Sequence, residues 1–326
     1  MNNNIKYFDL FAGIGGFRAG LERAGGFECV GHCEIDKFAN KSYTAIHNIK
    51  ESEIYYEDIK DIDTKTMPDF DLLCAGFPCQ SFSLAGKRGG FGDPRGSLFF
   101  EITRLLRDKQ PAYLLLENVP GLLSHDRGET FAAILTALCE LGYGVQWQIL
   151  NSKDFGVPQA RRRVYIVGCL DKERAGKILP VRNSNAEAAI YTGSRGGDTS
   201  GLGGDGLRIH SKDKAGYTLA YPGDSIKLAY SGIRKARVGR GLGFTLTTQA
   251  NMGVVTEDKR IRRLTPRECL RLQGFTDDQI DCILAVTSDY QAYRQAGNAV
   301  TIPVVETIGK RIKNLNNTLA HPVPVR

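Results

Sequence analysis

Cys79 stands in the run Gly76-Phe-Pro-Cys-Gln-Ser-Phe-Ser83, and Glu117 opens Glu117-Asn118-Val119. A thiol with an ordinary pKa of about 8.5 becomes a nucleophile near neutral pH when a cation or a helix N-terminus stabilises its thiolate. Pro78 fixes its own φ and lacks an N–H, and Gln80, Ser81 and Ser83 offer local hydrogen bonds, so the run reads as a turn that holds the thiol outward. Burial at a strand end favours the neutral form of a carboxyl group, which makes Glu117 a candidate acid. Arg161, Arg162 and Arg163 lead into an apolar strand, and strand alternation puts Arg161 and Arg163 on one face, where they can supply positive charge. Upstream, Asp9-Leu-Phe-Ala-Gly-Ile-Gly-Gly-Phe17 is a glycine turn that lets a ligand approach the backbone closely. The dinucleotide fingerprint GxGxxG needs glycine at position 18, and Arg18 stands there, which argues against a nicotinamide enzyme. Glu34 follows a second apolar run, where a carboxylate can accept hydrogen bonds from ribose hydroxyls, and Asp58 follows a third.

These residues fall at the ends of predicted strands. Apolar runs at Ile5–Phe11, Phe27–Cys33, Ile54–Tyr56, Phe70–Ala75, Tyr113–Leu116, Val145–Leu150 and Val164–Cys169 alternate with amphipathic stretches. Leu98, Ile102, Leu105 and Leu106 recur on one face of a helix over Leu98–Asp108. The pattern is that of βα units around a parallel sheet, giving an α/β, doubly wound fold. In such sheets ligands bind outside the carboxyl ends of the strands. Each residue alone has a structural explanation, as a helix cap or a small core thiol. Five successive decorated strand ends make coincidence the costlier explanation.

The chain has 326 residues, a net charge of +7, 42% hydrophobic and 24% charged residues, which fits a folded globular protein and excludes collagen-like, coiled-coil and disordered classes. No apolar run approaches the ~20 residues that span a bilayer, and the first residues lack the apolar segment of a signal peptide, so the expected location is the cytoplasm, with no membrane partner. The eight cysteines never form CxxC, so neither a metal nor a disulfide scaffold is expected. Beyond about Leu170 the periodic runs stop, and Gly193 to Gly206 holds seven glycines in fourteen residues. Val181 to Arg263 carries 14 Lys+Arg against 7 Asp+Glu, so the basicity is local. Helical periodicity resumes at Pro266–Leu272 and from Pro303 to about Leu315, each with proline in the first turn. The expected organisation is a catalytic and cofactor-binding domain at 1–170 plus 264–326, and a smaller loop-rich domain at 171–263.

Taken in order, the motifs resemble bacterial DNA (cytosine-5) methyltransferases of the restriction–modification type. The resemblance runs through DLFAGIGGF (9–17), Glu34, Asp58, GFPCQSFS (76–83), GSLFF (96–100), ENV (117–119), QARRRVYIVG (159–168), RRLTPRECLRLQGF (262–275) and GNAV (297–300), covering essentially the whole chain. It implies S-adenosyl-L-methionine as methyl donor and S-adenosyl-L-homocysteine as product. The donor's contacts would be Phe11, Ala12, Gly13, Ile14, Gly15 and Gly16, then Glu34 with Ile35, Asp58 with Ile59, Pro78, Leu98, and Asn298 with Ala299. Many members carry serine at the position of Ala299.

In the family the counterpart of Cys79 attacks C6 of cytosine, that of Glu117 hydrogen-bonds N3, and those of Arg161 and Arg163 complete the catalytic group. A base inside a duplex is unreachable, so the resemblance also implies flipping of the target nucleotide. Gly86 to Gly96, with five glycines and the cations Lys87, Arg88 and Arg95, reads as a loop closing over DNA. Residues 171–263 match the family's target-recognition lobe in position, and their basic excess suits phosphate contact. Candidate DNA contacts are Gln80, Ser81, Ser83, Lys87, Arg88, Arg95, Arg234, Lys235, Arg237, Arg240 and Thr245, the last within Thr245-Leu246-Thr247. The expected substrate is a short sequence in double-stranded DNA, and the expected state a monomer at the nucleoid. A cognate endonuclease would act on the same site without direct contact. The alternative on the same fold is a transfer-RNA cytosine-5 methyltransferase.

Overall fold

A computed structural model describes residues 4–78, 98–181, 206–210, 217–228, 237–249 and 251–320. The chain divides into two compact units: Met1–Leu150, Arg162–Arg182 and Val304–Arg326 form the first, and Asn151–Arg161 with Asn183–Pro303 form the second.

The first unit is built on strands β1 (Ile5–Leu10), β2 (Phe27–Cys33), β3 (Ile54–Tyr56), β4 (Leu72–Gly76), β5 (Tyr113–Asn118), β6 (Gly144–Asn151) and β7 (Arg162–Cys169), in the order β3-β2-β1-β4-β5-β7-β6. Helices α1 (Gly16–Ala24), α2 (Lys37–Ile46), α3 (Leu98–Lys109) and α4 (Glu129–Glu140) lie between them, and α5 (Lys172–Ala175) follows β7. β1 pairs in parallel with β2 and β4, β2 with β3, and β4 with β5. β7 instead runs antiparallel to β5, so the sheet is mixed where the alternating pattern suggests a parallel one. The connection 152–161 holds only a short 3₁₀ turn at Ser152–Phe155, and a parallel neighbour needs a crossover of about a dozen residues or more.

The strand order reverses at β1 and β4, which opens a crevice at their carboxyl ends, where the glycine turn and the cysteine run begin. Beneath it, Phe8, Leu10, Leu73, Ala75, Leu114, Leu116, Val164 and Ile166 pack with Phe99, Ile102, Leu105 and Leu106 of α3 and with Ile134 and Leu138 of α4. Burying each large side chain contributes roughly 1.5–3 kcal/mol, and this layer holds the strand ends in fixed register.

In the second unit β8 (Leu207–His210) and β9 (Tyr217–Ala220) pair antiparallel. β10 (Ser225–Lys227), β11 (Arg237–Gly239), β12 (Met252–Val255) and β13 (Ile261–Arg263) form an antiparallel sheet in the order β11-β10-β12-β13. Ile209, Ala220, Ile226 and Val255 form a small core. Helices α6 (Pro266–Arg271), α7 (Asp277–Val286) and α8 (Asp289–Asn298) follow. Thr265 with Glu268 and Thr276 with Gln279 close reciprocal capping boxes on α6 and α7, and Pro266 takes the first-turn position expected of it. The last helix, α9 (Ile302–Ala320), starts one residue before Pro303 and runs beyond Leu315. In the first unit it approaches α1 closely, because a Cβ on Gly309 would already lie 3.0 Å from Leu21 and 3.1 Å from Ala24.

Candidate active site

β1 ends in a turn whose backbone enters the left-handed region three times, at Phe11 (φ 53°), Gly13 (φ 58°) and Gly15 (φ 79°). Gly15 is the N-cap of α1, so the helix starts directly from the turn. Glu34 shapes it from the end of β2: one carboxylate oxygen accepts the Gly13 N–H at 2.7 Å and the other the Asp36 N–H at 2.8 Å. Among the described residues a Cβ on Gly13 would meet nothing within 4 Å, and the neighbouring Ile35 is 65% exposed. Open space, left-handed backbone and an anchored carboxylate together suit a nucleoside-bearing ligand. Asp58 caps the 3₁₀ turn Ile59–Asp61 through the Lys60 N–H at 3.0 Å; the Ile59 side chain is in the core and its carbonyl accepts a hydrogen bond from Arg104 Nη2 at 3.1 Å.

Below the turn lies a buried polar group whose roles the motif string conceals. Arg18, the residue that breaks the dinucleotide fingerprint, is 4% exposed. Its guanidinium bonds Glu22 at 2.8 Å, Glu53 at 2.6 Å and the Asn48 carbonyl at 3.1 Å, and it lies over the Tyr43 ring. The His47 ring, fully buried 3.5 Å from Glu22, presses against Gly15. Burial holds its pKa below the ordinary histidine value despite Glu22. Asp9, at the end of β1, is completely buried, and neither carboxylate oxygen has a hydrogen-bond partner among the described residues. Burial pushes its pKa up to about 8; Arg18 opposes that rise and Glu34 adds to it.

The second strand-end group lies one position across the sheet. Gly76 of β4 stands in register with Glu117 of β5. Glu117 pairs with Arg163 Nε at 2.9 Å, with the side chains 11% and 14% exposed. Arg163 belongs to β7, which reaches this end of β5 because it runs antiparallel to it. Asn118 fixes the chain leading to the cysteine: its Nδ2 donates to the Phe77 carbonyl at 2.8 Å, and its Oδ1 accepts the Val119 N–H at 2.8 Å. Pro78 is exposed at the end of that path. Cys79, Gln80, Ser81, Ser83, Lys87, Arg88 and Arg95 lie outside the described residues, and Leu98 is half-buried at the start of α3.

The two arginines expected to share a role have different surroundings. Arg161 is 2% exposed and, within the second unit, donates to the carbonyls of Leu246 at 3.2 Å, Gly297 at 3.0 Å and Ala299 at 2.9 Å. Asn298, between two of those carbonyls, is exposed, whereas Ala299 is buried. Thr245 Oγ1 donates to the Ala160 carbonyl at 2.6 Å, so its hydroxyl proton is engaged within the chain. Arg237 and Arg240 are exposed on and beside β11, while Arg234 and Lys235 lie outside the described residues. Sequence reasoning gave no site role to Asp9, Arg18, His47 or Asn118. Only Asn118 had a usable signal, since a polar residue beside Glu117 at a strand end can reach the adjacent strand.

Comparison with known proteins identifies the family. The model for the C-5 cytosine-specific DNA methylase family matches residues 5–314, and the chain belongs to that family, whose members are DNA (cytosine-5) methyltransferases. Among the relatives, the Type II methyltransferase M.HpaII of Haemophilus parainfluenzae is 40% identical over 96% of this chain and 90% of its own length. The Type II methyltransferase M.SsoII of Shigella sonnei is 38% identical over 95% of this chain and 80% of its own. The crystal structure of the Dnmt2 methyltransferase of S. pombe superposes with a TM-score of 0.60 at 20% identity, covering 98% of this chain and 100% of that one, which supports the fold. Among the described residues no helix is long and apolar enough to cross a membrane, and no cluster of residues suits a metal ion.

Proposed function

We propose that the protein methylates C5 of one cytosine in a short sequence of double-stranded DNA, taking the methyl group from S-adenosyl-L-methionine, as the modification partner of a restriction endonuclease with the same site. The Glu117–Arg163 pair carries the proposal, since it stands at the end of β5 beside the strand that delivers Cys79. When bound, the donor supplies an electrophilic sulfonium methyl. The glycine turn would accommodate it in the space open at Gly13, with Glu34 and the exposed Ile35 beside it and, beneath, the carboxyl group of Asp9, which has no hydrogen-bond partner among the described residues. Phe11, Ala12, Ile14, Gly16, Asp58, Ile59, Pro78 and Leu98 complete this set, and Asn298 and Ala299 keep the contact role the resemblance implies.

The chain's residues make the cytosine reactive in stages. The target base leaves the duplex at a cost of a few kcal/mol, and its extrusion exposes C6. The Cys79 thiolate adds to C6 while Glu117 hydrogen-bonds N3, and the ring electrons shift toward C5. Arg163 holds the carboxyl group of Glu117 in place and offsets negative charge near the ring. C5 takes the methyl group, its proton passes to solvent, and expulsion of the thiolate restores the aromatic ring. Residues 171–263 read the target, with the exposed Arg237 and Arg240 among the phosphate contacts. The protein acts as a monomer in the bacterial cytoplasm, at the nucleoid.

Transfer of tritiated methyl groups tests the proposal. Label should enter duplex DNA, not transfer RNA, and bisulfite sequencing of DNA from expressing cells should show one modified cytosine per recognised site. Label in transfer RNA alone would overturn it.

A further inference from the structure

We infer that Arg161 is a positioning residue rather than a catalytic one: it ties the Gly297–Ala299 turn to the Thr245–Thr247 segment, so that donor binding and DNA binding are coupled through one buried guanidinium. This rests on the function proposed above. The three carbonyls it bonds come from two segments distant in sequence. Those of Gly297 and Ala299 flank Asn298 at the carboxyl end of α8, where backbone partial charge is negative and an arginine is the natural cap. The third belongs to Leu246, in the middle of the Thr-Leu-Thr element.

The surrounding bonds close the same junction. Gln159 accepts the Leu246 N–H at 2.9 Å and donates to the Leu272 carbonyl at 2.9 Å. Ser152 donates to the Arg161 carbonyl and meets Thr301 Oγ1 at 2.8 Å, and Thr301 donates to Gln273, which in turn donates to the Ala296 carbonyl. Gly297 has no side chain because a Cβ there would sit 2.5 Å from the Thr247 backbone. The two segments are therefore in van der Waals contact, and a shift of one displaces the other. Arg163, two residues on, is engaged with Glu117 instead, so the QARRR run divides its arginines between two tasks.

Arg161→Lys tests this against Arg163→Lys in the full-length protein, with steady-state methyl transfer and titration of S-adenosyl-L-homocysteine with and without cognate DNA. Lysine keeps the charge but cannot reach three carbonyls in a fork. Losing one charge-assisted bond should raise KM for the donor and Kd for DNA about tenfold each. At saturation kcat should stay within about threefold, and the factor by which DNA tightens S-adenosyl-L-homocysteine binding should fall toward one, since coupling is a shared free energy. Arg163→Lys should lose kcat instead.

Loss of kcat in Arg161→Lys with both affinities unchanged would overturn the inference, as would wild-type behaviour. Should Arg161→Lys fail to fold, amide exchange in the wild type decides: S-adenosyl-L-homocysteine alone should slow exchange at Leu246, and an unchanged rate there would refute the link. If the wild-type protein transfers no methyl group to any DNA, the proposed function itself fails, and that result is distinct from either variant's.

Discussion

Replacing Gly15 by alanine should be much more damaging than the same change at Gly13, although both glycines lie in one turn and both have positive φ. A left-handed backbone costs an L-residue about 1–2 kcal/mol, and this charge applies at both positions. At Gly13 nothing else is added, because a Cβ would meet no atom of the described residues within 4 Å. At Gly15 the Cβ would fall 2.1 Å from His47 Nε2 and 3.0 Å from Tyr43. The His47 ring has little room to retreat, being fully buried beside Glu22 and with its centroid 4.7 Å from that of Tyr43. Overpacking of this kind costs about 1–3 kcal/mol more, so Gly15→Ala should lose about 2–5 kcal/mol in all. Urea unfolding followed by the emission of Trp147, the single tryptophan, measures it. A double-mutant cycle with His47→Ala should return a coupling of about 1–3 kcal/mol, the part due to the clash. Equal losses for the two glycine variants, or zero coupling, would refute the assignment of His47 as the support beneath the turn. Gly13→Ala should instead weaken S-adenosyl-L-homocysteine binding, because its methyl group occupies the open space.

Other consequences follow from the same structure. Glu117→Gln keeps the shape of the side chain and loses its charge and proton, and kcat should fall about 10²–10⁴-fold with little change in DNA affinity; wild-type turnover would refute its role. Asp9 binds its proton up to about pH 8 in the folded protein but only to about 3.8 when unfolded. The folded state thus holds the extra proton between those values, so this group's stabilising contribution is full below about pH 4 and disappears as pH rises toward 8. Asp9→Asn should remove that fall; identical pH slopes for variant and wild type, measured by urea unfolding from pH 5 to 8, would contradict it. DNA affinity should drop steeply with salt, and Arg237→Ala should lower the slope of log K against log[salt] by about one phosphate contact. An unchanged slope would remove Arg237 from the interface.

The sequence was most legible where one strand carries one signal. Short apolar runs bounded by polar or glycine residues marked β2 and β3 to the residue, and the amphipathic face of α3 was plain from Leu98, Ile102, Leu105 and Leu106. The antiparallel direction of β7 was not legible, because an apolar run such as Val164–Cys169 looks alike in either direction and only the short 152–161 connection betrays it. Strands β8 to β13 were missed because each is three or four residues long, too short for alternation to stand out among glycines and basic residues. Strand ends singled out Glu117 and Glu34, which the structure pairs with Arg163 and with the Gly13 N–H, while Cys79 lies outside the described residues. The network of Arg18, Glu22, His47 and Glu53 could not be read, since it joins α1 to the segment after α2 through side chains whose burial only the tertiary fold decides. Arg161 shows the same limit: its alternation with Arg163 was readable, but its carbonyl partners come from positions 246, 297 and 299.

Covalent trapping tests the central claim most directly. Duplex DNA carrying 5-fluorocytosine at the modified position, incubated with S-adenosyl-L-methionine and the protein, should yield an adduct that survives SDS, because fluorine cannot leave C5 as a proton does and the thiolate is not expelled. Peptide mapping should place the DNA on Cys79, and Cys79→Ser should give no adduct. Methylation of ordinary cognate DNA without any trapped species on the fluorinated duplex, or an adduct on another cysteine, would contradict the account.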